Sequence, residues 1–240
     1  MKINGSTGQD QASVAKNAGY FDANERYANR VAVLETYRNI RSAIDPEIAG
    51  SKLLLDVGNG GVFDYDTSLV ERIVGVDLFF DKDSQLELDE RITLRRGDAL
   101  ALEEPEAAYD RVLEVSVFHH LIGTGVDSTF ANIGRAIDEA HRVLAPGGRF
   151  VVMESCVSER AFAIERRLFG ALRRLAQTPL MRHPATLQFP PRTIAEAIRD
   201  RFGNVTIRPI PVGPWIIQFG VRTPTRLTPA RPYLFTATRC

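Results

Sequence analysis

The sequence has few of the residues and patterns that mark a metal site, a disulfide framework or a membrane span. Only two cysteines occur among its 240 residues, Cys156 and Cys240, and their spacing fits neither a zinc site nor a set of disulfides. No segment reaches the roughly 18 consecutive apolar residues of a transmembrane helix. Residues 1–20 lack the apolar core of a signal peptide. These absences predict a cytoplasmic protein with reduced thiols, no metal and no membrane partner.

Neither sign of charge is in excess, because Lys+Arg and Asp+Glu both number 30. Broad nucleic-acid binding requires a basic surface, so we expect no nucleic-acid partner. The hydrophobic fraction of 44% is ordinary for a globular protein. A chain of this length buries an adequate core without disulfides or metals. We expect one catalytic domain, as a monomer or a homodimer.

Short apolar segments alternate with segments of helical periodicity. Strands are predicted at 52–57 and in "RIVGVDLF", "ITLRRGDAL", "YDRVLEVSVFHHL" and "RFVVMES", with "APGG" breaking the chain before the last of these. Helical spacing predicts helices over 27–44, stopped by Pro46, over 128–144 and over 159–176. In the helix "TIAEAIRDRFG", Thr193 and Glu196 fit a capping box. This order is typical of a doubly wound α/β fold with a parallel sheet.

The segment 159–176 also shows an apolar stripe of four residues at helical spacing, which we expect to face inward. Its arginines are expected on the solvated sides of the helix. The four stripe residues are Ile164, Leu168, Leu172 and Leu175.

Polar residues stand where the predicted strands end. They are Asp56, Asp77, Asp98 and the segment 116–120. In open α/β sheets, ligands bind outside the carboxyl ends of the strands, at the switch point in strand order. The coincidence of four such positions therefore predicts one ligand site at this edge.

The segment "LLLDVGNGGVFDYD" places Gly58, Gly60 and Gly61 directly after the first strand. Glycines allow positive φ and a close approach of ligand to backbone. A phosphate-binding loop is excluded because no Gly-Lys-Ser/Thr follows. A dinucleotide fingerprint would require glycine at position 63, where Phe63 stands. Asp56 suits a cationic ligand better than a pyrophosphate.

"LLLDVGNGG" resembles motif I of the class I S-adenosylmethionine-dependent methyltransferases. "VGVDLF", "RRGDAL", "DRVLEVSVFHHL" and "RVLAPGGRFVVMES" are similar to the family's elements at the second to fifth strands, in the expected order over 53–155. The resemblance implies a Rossmann-like, mostly parallel sheet of seven strands, the last antiparallel, with helices on both faces and an N-terminal helical lid. It implies S-adenosylmethionine as cofactor.

The resemblance also implies a role for each matched position. Asp77 would bind the ribose hydroxyls, Asp98 would accept from the adenine amino group, and Asp56 would lie near the methionine end. The remaining implied cofactor residues are Gly58, Asn59, Gly60, Leu78, Ala99 and Ser116. The sequence departs from the family at Val62, where a third glycine is common, and in the bulky segment "FDYDTSL". We expect the first helix there to be short or displaced.

His119 and His120 follow the fourth strand and are candidates for a general base. Adjacent helical residues point in different directions, so only one of them is expected to face the acceptor. Tyr20 and Phe21 are expected to form an aromatic wall for the substrate. His183, in a Pro-containing loop, is expected to contact the substrate as well.

We predict an N-terminal mobile segment and lid helix at 1–50 and a catalytic domain at 51–240, with a substrate-side insertion at about 157–192. The neutral charge and the absence of an Asn-Pro-Pro-Tyr-like string favour a small-molecule acceptor over nucleic acid or protein. The leading hypothesis is methylation of a hydroxyl oxygen of a secondary metabolite or sugar. Alternatives are a nitrogen or carbon acceptor, an NAD-dependent oxidoreductase, and a non-catalytic cofactor-binding protein.

Overall fold

The computed structural model describes residues 9–22, 33–79, 88–178, 183–218 and 221–240. Its α-helices are α1 (Gln11–Asp22), α2 (Glu35–Ile48), α3 (Val126–Val143), α4 (Glu159–Ala176) and α5 (Pro191–Phe202). Its strands are β1 (Leu54–Val57), β2 (Ile73–Asp77), β3 (Ile92–Arg96), β4 (Tyr109–Val115), β5 (Leu144–Cys156), β6 (Thr206–Pro209), β7 (Trp215–Gln218), β8 (Val221–Pro224) and β9 (Arg231–Thr238). No described helix is both long enough and apolar enough to cross a bilayer.

Seven strands form one sheet in the order β3-β2-β1-β4-β5-β9-β6. Strands β1 to β5 pair in parallel, whereas β9 is antiparallel to both β5 and β6. The predicted seven-stranded, mostly parallel sheet with an antiparallel last strand is confirmed. The strand order reverses between β1 and β4, so the ligand-binding switch point lies at the carboxyl ends of these two strands.

Helices cover both faces of this sheet, as predicted. On one face, α2 buries Ile40, Ile44 and Ile48, which recur every four residues and contact the sheet through a shared apolar cluster. On the other face, α3 and α5 bury Ile133 and Ile194 in the larger core cluster. Burial on both sides explains why the central strands are almost continuously apolar.

The helix predicted over 27–44 is observed as α2, which begins at Glu35 and continues to Ile48. Tyr27 lies outside the described residues. Pro46 was expected to stop the helix but lies inside it. Proline removes one backbone donor, and the full burial of Ile44 and Ile48 holds the last turn in place despite that loss.

The connection between β1 and β2 contains only a short 3₁₀ helix, Thr67–Leu69. The short first helix expected from "FDYDTSL" is therefore observed. Tyr65 explains it in part, because its ring is buried under α2 and the sheet instead of lying on a helix surface. Asp66 then accepts a hydrogen bond from the Ser68 amide and begins the 3₁₀ turn.

Helix α4 has the predicted bounds but the opposite orientation. The stripe expected to face inward is exposed: Ile164 by 62%, Leu168 by 49%, Leu172 by 45% and Leu175 by 43%. Phe169 and Ala176 are the buried residues instead. Periodicity identified an amphipathic helix, but it could not determine which of two apolar faces meets the sheet.

Two element boundaries differ from the sequence predictions. "APGG" was expected to break the chain, but it lies within β5, where the register with β4 shifts between Tyr109 and Arg111 and forms a bulge. The capping box at Thr193 is wrong, because α5 begins at Pro191 and no side chain caps it. A proline needs no amide acceptor at the first helical position, so the helix begins earlier.

Candidate active site

The glycine turn after β1 brings the ends of three strands together. Gly58 has φ +79°, Gly60 +58° and Gly61 +83°, all in the left-handed region that favours glycine. The Gly58 amide donates to the Val76 carbonyl at 2.7 Å. A Cβ atom at Gly58 would lie 2.6 Å from Cγ2 of Val117, so only glycine fits between β1 and the segment after β4.

Asp56 is buried beneath this turn. The Asn59 amide nitrogen and the Tyr65 hydroxyl each donate to its Oδ2 at 2.9 Å. Its Oδ1 is also buried, and no described residue donates to it. Burial raises the pKa of Asp56 to about 7, against the lowering effect of its two hydrogen bonds. Asn59 is tied to the turn by both ends of its amide, since its Oδ1 accepts from the Gly61 amide at 2.9 Å.

Asp77 lies at the carboxyl end of β2 and contacts the same turn. Its Oδ2 accepts from the Gly60 amide and its Oδ1 from the Phe79 amide, both at 2.9 Å. Burial raises the pKa of Asp77 to about 6, and backbone donors that include Leu78 oppose the rise. Backbone amides of the turn after β1 and of the segment after β2 thus position the Asp77 carboxylate.

Asp98 follows β3 and lies beside β2, since the Gly97 amide donates to the Asp77 carbonyl at 2.9 Å. Its Oδ1 accepts from the Leu100 amide. Its Oδ2 is buried and receives no hydrogen bond from a described residue. Burial raises the pKa of the Asp98 carboxyl. Ala99 packs partly buried against the larger core cluster.

Ser116 follows β4 in a strained backbone conformation, with φ +59°. Its amide donates to the Met153 carbonyl at 2.8 Å, which keeps this turn attached to β5. Non-glycine residues rarely adopt this conformation, and such strain concentrates at ligand sites.

His119 forms a close pair with Glu154 of β5. The ring atom Nδ1 of His119 lies 2.6 Å from Oε1 of Glu154, and the His119 amide donates to the other carboxylate oxygen at 3.3 Å. The Glu154 side chain is 2% exposed and the His119 side chain 14%. Sequence reasoning missed Glu154. The available signal was an acidic residue at the end of the otherwise apolar strand "RFVVMES".

His120 and His183 lie in the same cluster as His119. The ring centroids of His119 and His120 are 4.2 Å apart, and those of His120 and His183 are 5.9 Å apart. Burial and then the neighbouring histidines hold the pKa of His120 well below its usual range. Burial lowers the pKa of His183 to about 4, although a bond to the Pro184 carbonyl opposes this. The structure therefore brings together three of the predicted acceptor-side residues.

Helix α4 contributes Glu165 to this cluster, a residue that sequence reasoning did not select. Burial raises the pKa of Glu165 to about 7, while a backbone bond from Gln188 and the charge of His119 lower it. The Gln188 side chain donates to the Ser155 hydroxyl at 3.0 Å. The Leu187 amide donates to the His119 carbonyl at 3.1 Å. These contacts fix the segment after α4 against the histidine turn.

Another buried carboxylate, Glu114 of β4, lies between Asp56 of β1 and Glu154 of β5. Burial and then the charges of those two carboxylates raise the pKa of Glu114 to about 8. Its Oε2 receives no hydrogen bond from a described residue. No described group of three His, Cys, Asp or Glu side chains is arranged to hold a metal ion.

Helix α1 and the residue before it contact α4, the helix that carries Glu165. Arg173 of α4 pairs with Asp10 just before α1 at 3.0 Å, and Gln177 donates to the same carboxylate oxygen. Lys16 donates to the carbonyls of Ala176 and Thr178. Tyr20 and Phe21 belong to the last turns of α1, but their side chains lie outside the described part of the chain.

The part of the chain that forms this site is similar to a known family. Residues 55–152 match the family model described as "Methyltransferase domain". This segment is similar to a methyltransferase domain. The fold is that of class I methyltransferases, and S-adenosylmethionine is the cofactor of this fold. The match runs from within β1 to within β5 and includes every predicted cofactor residue, so it favours methyl transfer over the oxidoreductase alternative. No curated protein matches the sequence.

Solved structures share the methyltransferase fold across most of the chain. One is a chain of the Haloferax volcanii complex between the Trm112 methyltransferase activator and a methyltransferase, with 17% identity, a TM-score of 0.60 and coverage of 92% of this chain and 96% of that chain. The N-methyltransferase NodS from Bradyrhizobium japonicum WM9, in complex with S-adenosylhomocysteine, has 12% identity, a TM-score of 0.57 and coverage of 96% and 99%.

A third similar structure is geranyl diphosphate C-methyltransferase from Streptomyces coelicolor A3(2), in complex with Mg²⁺, geranyl diphosphate and S-adenosylhomocysteine. It has 15% identity and a TM-score of 0.53, and the match covers 85% of this chain and 80% of that chain. Identities this low establish the shared fold and carry no substrate from one protein to another.

Proposed function

We propose that this methyltransferase transfers a methyl group to a hydroxyl oxygen of a small molecule, such as a secondary metabolite or a sugar, with His119 as general base. The observation that carries the proposal is the 2.6 Å contact between His119 and the buried Glu154. A hydroxyl nucleophile must lose a proton as it is methylated, and a histidine oriented by a carboxylate is suited to accept it.

The cofactor edge contains acceptors that fit S-adenosylmethionine. Oδ2 of Asp98 and Oδ1 of Asp56 are buried and receive no hydrogen bond from the described residues, which suits an adenine amino group and the amino group at the methionine end. Asp77 would accept from the ribose hydroxyls, and the backbone at Gly58 and Gly60 allows close approach. The bound cofactor supplies a methyl group already activated by its sulfonium charge.

Asn59, Leu78, Ala99 and Ser116 would complete the cofactor surface. Asn59 and Ser116 act through the turns that they hold, since the Asn59 amide bridges Asp56 and Gly61. The positive φ at Ser116 shapes the segment that leads to His119. Holding acceptor and methyl group in line supplies much of the rate acceleration.

Glu154 fixes the protonation pattern of the proposed base. A carboxylate oxygen accepts hydrogen bonds, so Nδ1 of His119 carries the proton and Nε2 is left to accept one from the substrate. The negative charge of Glu154 then stabilises the imidazolium that forms. His120 is the weaker candidate for the base because burial holds its pKa far below the usual range. We assign it to packing between His119 and His183.

The acceptor side is proposed to consist of α1 and the insertion at about 157–192, closing over a catalytic domain of residues 51–240. Tyr20, Phe21 and His183 are the proposed substrate contacts, and residues 1–50 form the proposed lid segment. The ion pair between Asp10 and Arg173 supports this arrangement, because it joins α1 to α4 across 163 positions of sequence.

A nitrogen or carbon acceptor is the second candidate. An N-methyltransferase and a C-methyltransferase share this fold, so the fold accommodates acceptors other than oxygen. The requirement for a base separates a nitrogen acceptor from an oxygen acceptor. An uncharged amine attacks the methyl group without losing a proton first, whereas a hydroxyl benefits from proton removal.

The test is to incubate the full chain with S-adenosylmethionine and a metabolite extract and to search by mass spectrometry for a product one methylene heavier. Fragmentation then identifies the methylated atom. His119→Ala should lower turnover at least about a hundredfold, whereas the matched variant His141→Ala should leave it unchanged. An N- or C-methylated product, or full turnover by His119→Ala, would contradict the proposal.

A further inference from the structure

Helix α4 presents an apolar face to solvent that neither the core nor the active site uses. We name it the α4 stripe; it consists of Ile164, Leu168, Leu172 and Leu175, all between 43% and 62% exposed. Their spacing of four, four and three residues places them along one side of the helix. Contiguous exposed apolar side chains of this kind mark interaction surfaces in soluble proteins.

A row of arginines runs beside the α4 stripe. Arg160, Arg167 and Arg174 are seven residues apart, so they lie almost in line along the helix, and all three are exposed. At 100° per residue they follow the stripe's edge on the side away from Glu165. None of the three forms an ion pair with any described residue.

The other sides of α4 are packed against the protein, so the helix that carries the stripe is held in place. Phe169 and Ala176 are buried, and Arg173 is paired with Asp10. Glu165 reaches the histidine cluster, where the charge of His119 acts on it. Because Leu168 and Leu172 follow Glu165 by three and seven positions, the stripe borders the acceptor side of the active site.

We propose that the α4 stripe and the arginine row dock this methyltransferase on a membrane surface that contains anionic lipid. An interfacial helix of this type inserts its apolar side chains at the acyl boundary, while basic side chains at its edge reach the lipid phosphates. Guanidinium groups bind phosphate oxygens through paired hydrogen bonds. The expectation of no membrane partner was based on absent transmembrane segments, and an exposed interfacial helix does not need one.

Charge favours this occupant over an antiparallel second copy of the chain. In an antiparallel twofold pair of α4 helices, the two arginine rows would lie on the same side and repel each other. Acidic residues of α4 do not complement them, because Glu165 faces the active site and Glu159 stands alone at the helix start. A surface of lipid phosphates supplies the missing negative charge.

The test is vesicle flotation of the full chain with phosphatidylcholine alone and with a mixture that contains phosphatidylglycerol. The wild-type chain should float with the anionic vesicles and much less with the neutral ones. Leu168→Glu combined with Leu172→Glu should lower the bound fraction at least about tenfold. Arg167→Gln combined with Arg174→Gln should weaken binding to anionic vesicles roughly fivefold for each arginine removed.

The matched controls are Leu227→Glu and Arg226→Gln, at an exposed site far from α4 in the sequence, which should bind as the wild type does. Circular dichroism and sedimentation velocity on every variant establish that the fold is intact and report the oligomeric state. The proposal is overturned if the wild type binds neither vesicle, or if the leucine variants bind as well as the wild type. It is also overturned if the stripe variants only dissociate a dimer.

Discussion

Nδ1 of His119 lies 2.6 Å from Oε1 of Glu154, although 35 positions separate the two residues in the sequence. The contact exists because β4 and β5 are parallel neighbours, so the turn after β4 lies beside the end of β5. It leaves Nε2 of His119 as the ring nitrogen that can accept a proton. The pair would therefore orient His119 for its proposed role as general base.

Glu154→Gln should lower kcat at least about tenfold and change KM for S-adenosylmethionine little, because the neutral amide cannot stabilise the imidazolium. A lower kcat with an unchanged KM indicates that the base is no longer positioned, whereas a raised KM would indicate loss of cofactor binding. Steady-state kinetics at saturating cofactor measure it. Exposed Glu103→Gln is the control and should keep wild-type rates. Equal kcat values for Glu154→Gln and the wild type would rule out this role.

Asp77→Asn should weaken S-adenosylmethionine binding at least about tenfold, because it removes a charge-assisted acceptor and weakens the bond from Gly60. Isothermal titration calorimetry gives the dissociation constant. Asp89→Asn, an exposed carboxylate bonded to Arg91, serves as the control and should bind the cofactor normally. If Asp77→Asn bound with unchanged affinity, Asp77 would not hold the ribose.

Gly58→Ala should lower the free energy of unfolding by more than about 1–2 kcal/mol, since φ is +79° and the new Cβ would meet Val117 at 2.6 Å. Gly134→Ala, within α3 and with no atom near its Cβ, should instead raise it by about 0.5–1 kcal/mol. Chemical denaturation compares the two. Val117→Ala should lower the free energy of unfolding less in the Gly58→Ala background than in the wild type. If the effects of the two substitutions simply added, the predicted contact between the new Cβ and Val117 would be contradicted.

The free energy of unfolding should fall as pH rises from about 4.5 to about 8, because burial raises the pKa of Glu114 to about 8. The folded state then holds a proton that the unfolded chain has released, so Glu114's contribution is full below pH 4.5 and lost above pH 8. Asp56, with its pKa raised to about 7, acts in the same direction.

Each group contributes a slope of at most about 1.4 kcal/mol per pH unit. Glu114→Gln should therefore flatten the pH dependence measured by denaturant titrations, whereas exposed Glu71→Gln should leave it as it is. An unchanged slope in Glu114→Gln would show that Glu114 is not held protonated in the folded protein.

Much of the fold could be predicted because apolar periodicity is a local property. The five parallel strands, α4 and the departure after the glycine turn were predicted near their observed positions. Predictions failed where two local signals competed, as at Pro46 inside α2 and at Thr193 in α5. Helix ends depend on which side chains the core buries, and the local sequence does not contain that information.

The grouping of Asp56, Asp77 and Asp98 at one edge could also be predicted, since all three stand at strand ends. The buried residues that contact these side chains and His119 could not be predicted. Tyr65 and Glu154 look like ordinary surface or strand residues until the sheet places them against Asp56 and His119. Hydrogen bonds between distant positions depend on register and on side-chain direction, which are set by tertiary packing.

The sequence by itself determined the fold class: the order of its strands, the glycine turn and the acids at or just beyond the ends of β1, β2 and β3. Only the tertiary structure decided which carboxylate orients His119 and which face of α4 meets solvent. The physical reason is that periodicity defines an apolar face within one element, whereas burial depends on what the neighbouring elements offer it. On α4 they cover Phe169 and leave the stripe of Ile164, Leu168, Leu172 and Leu175 exposed.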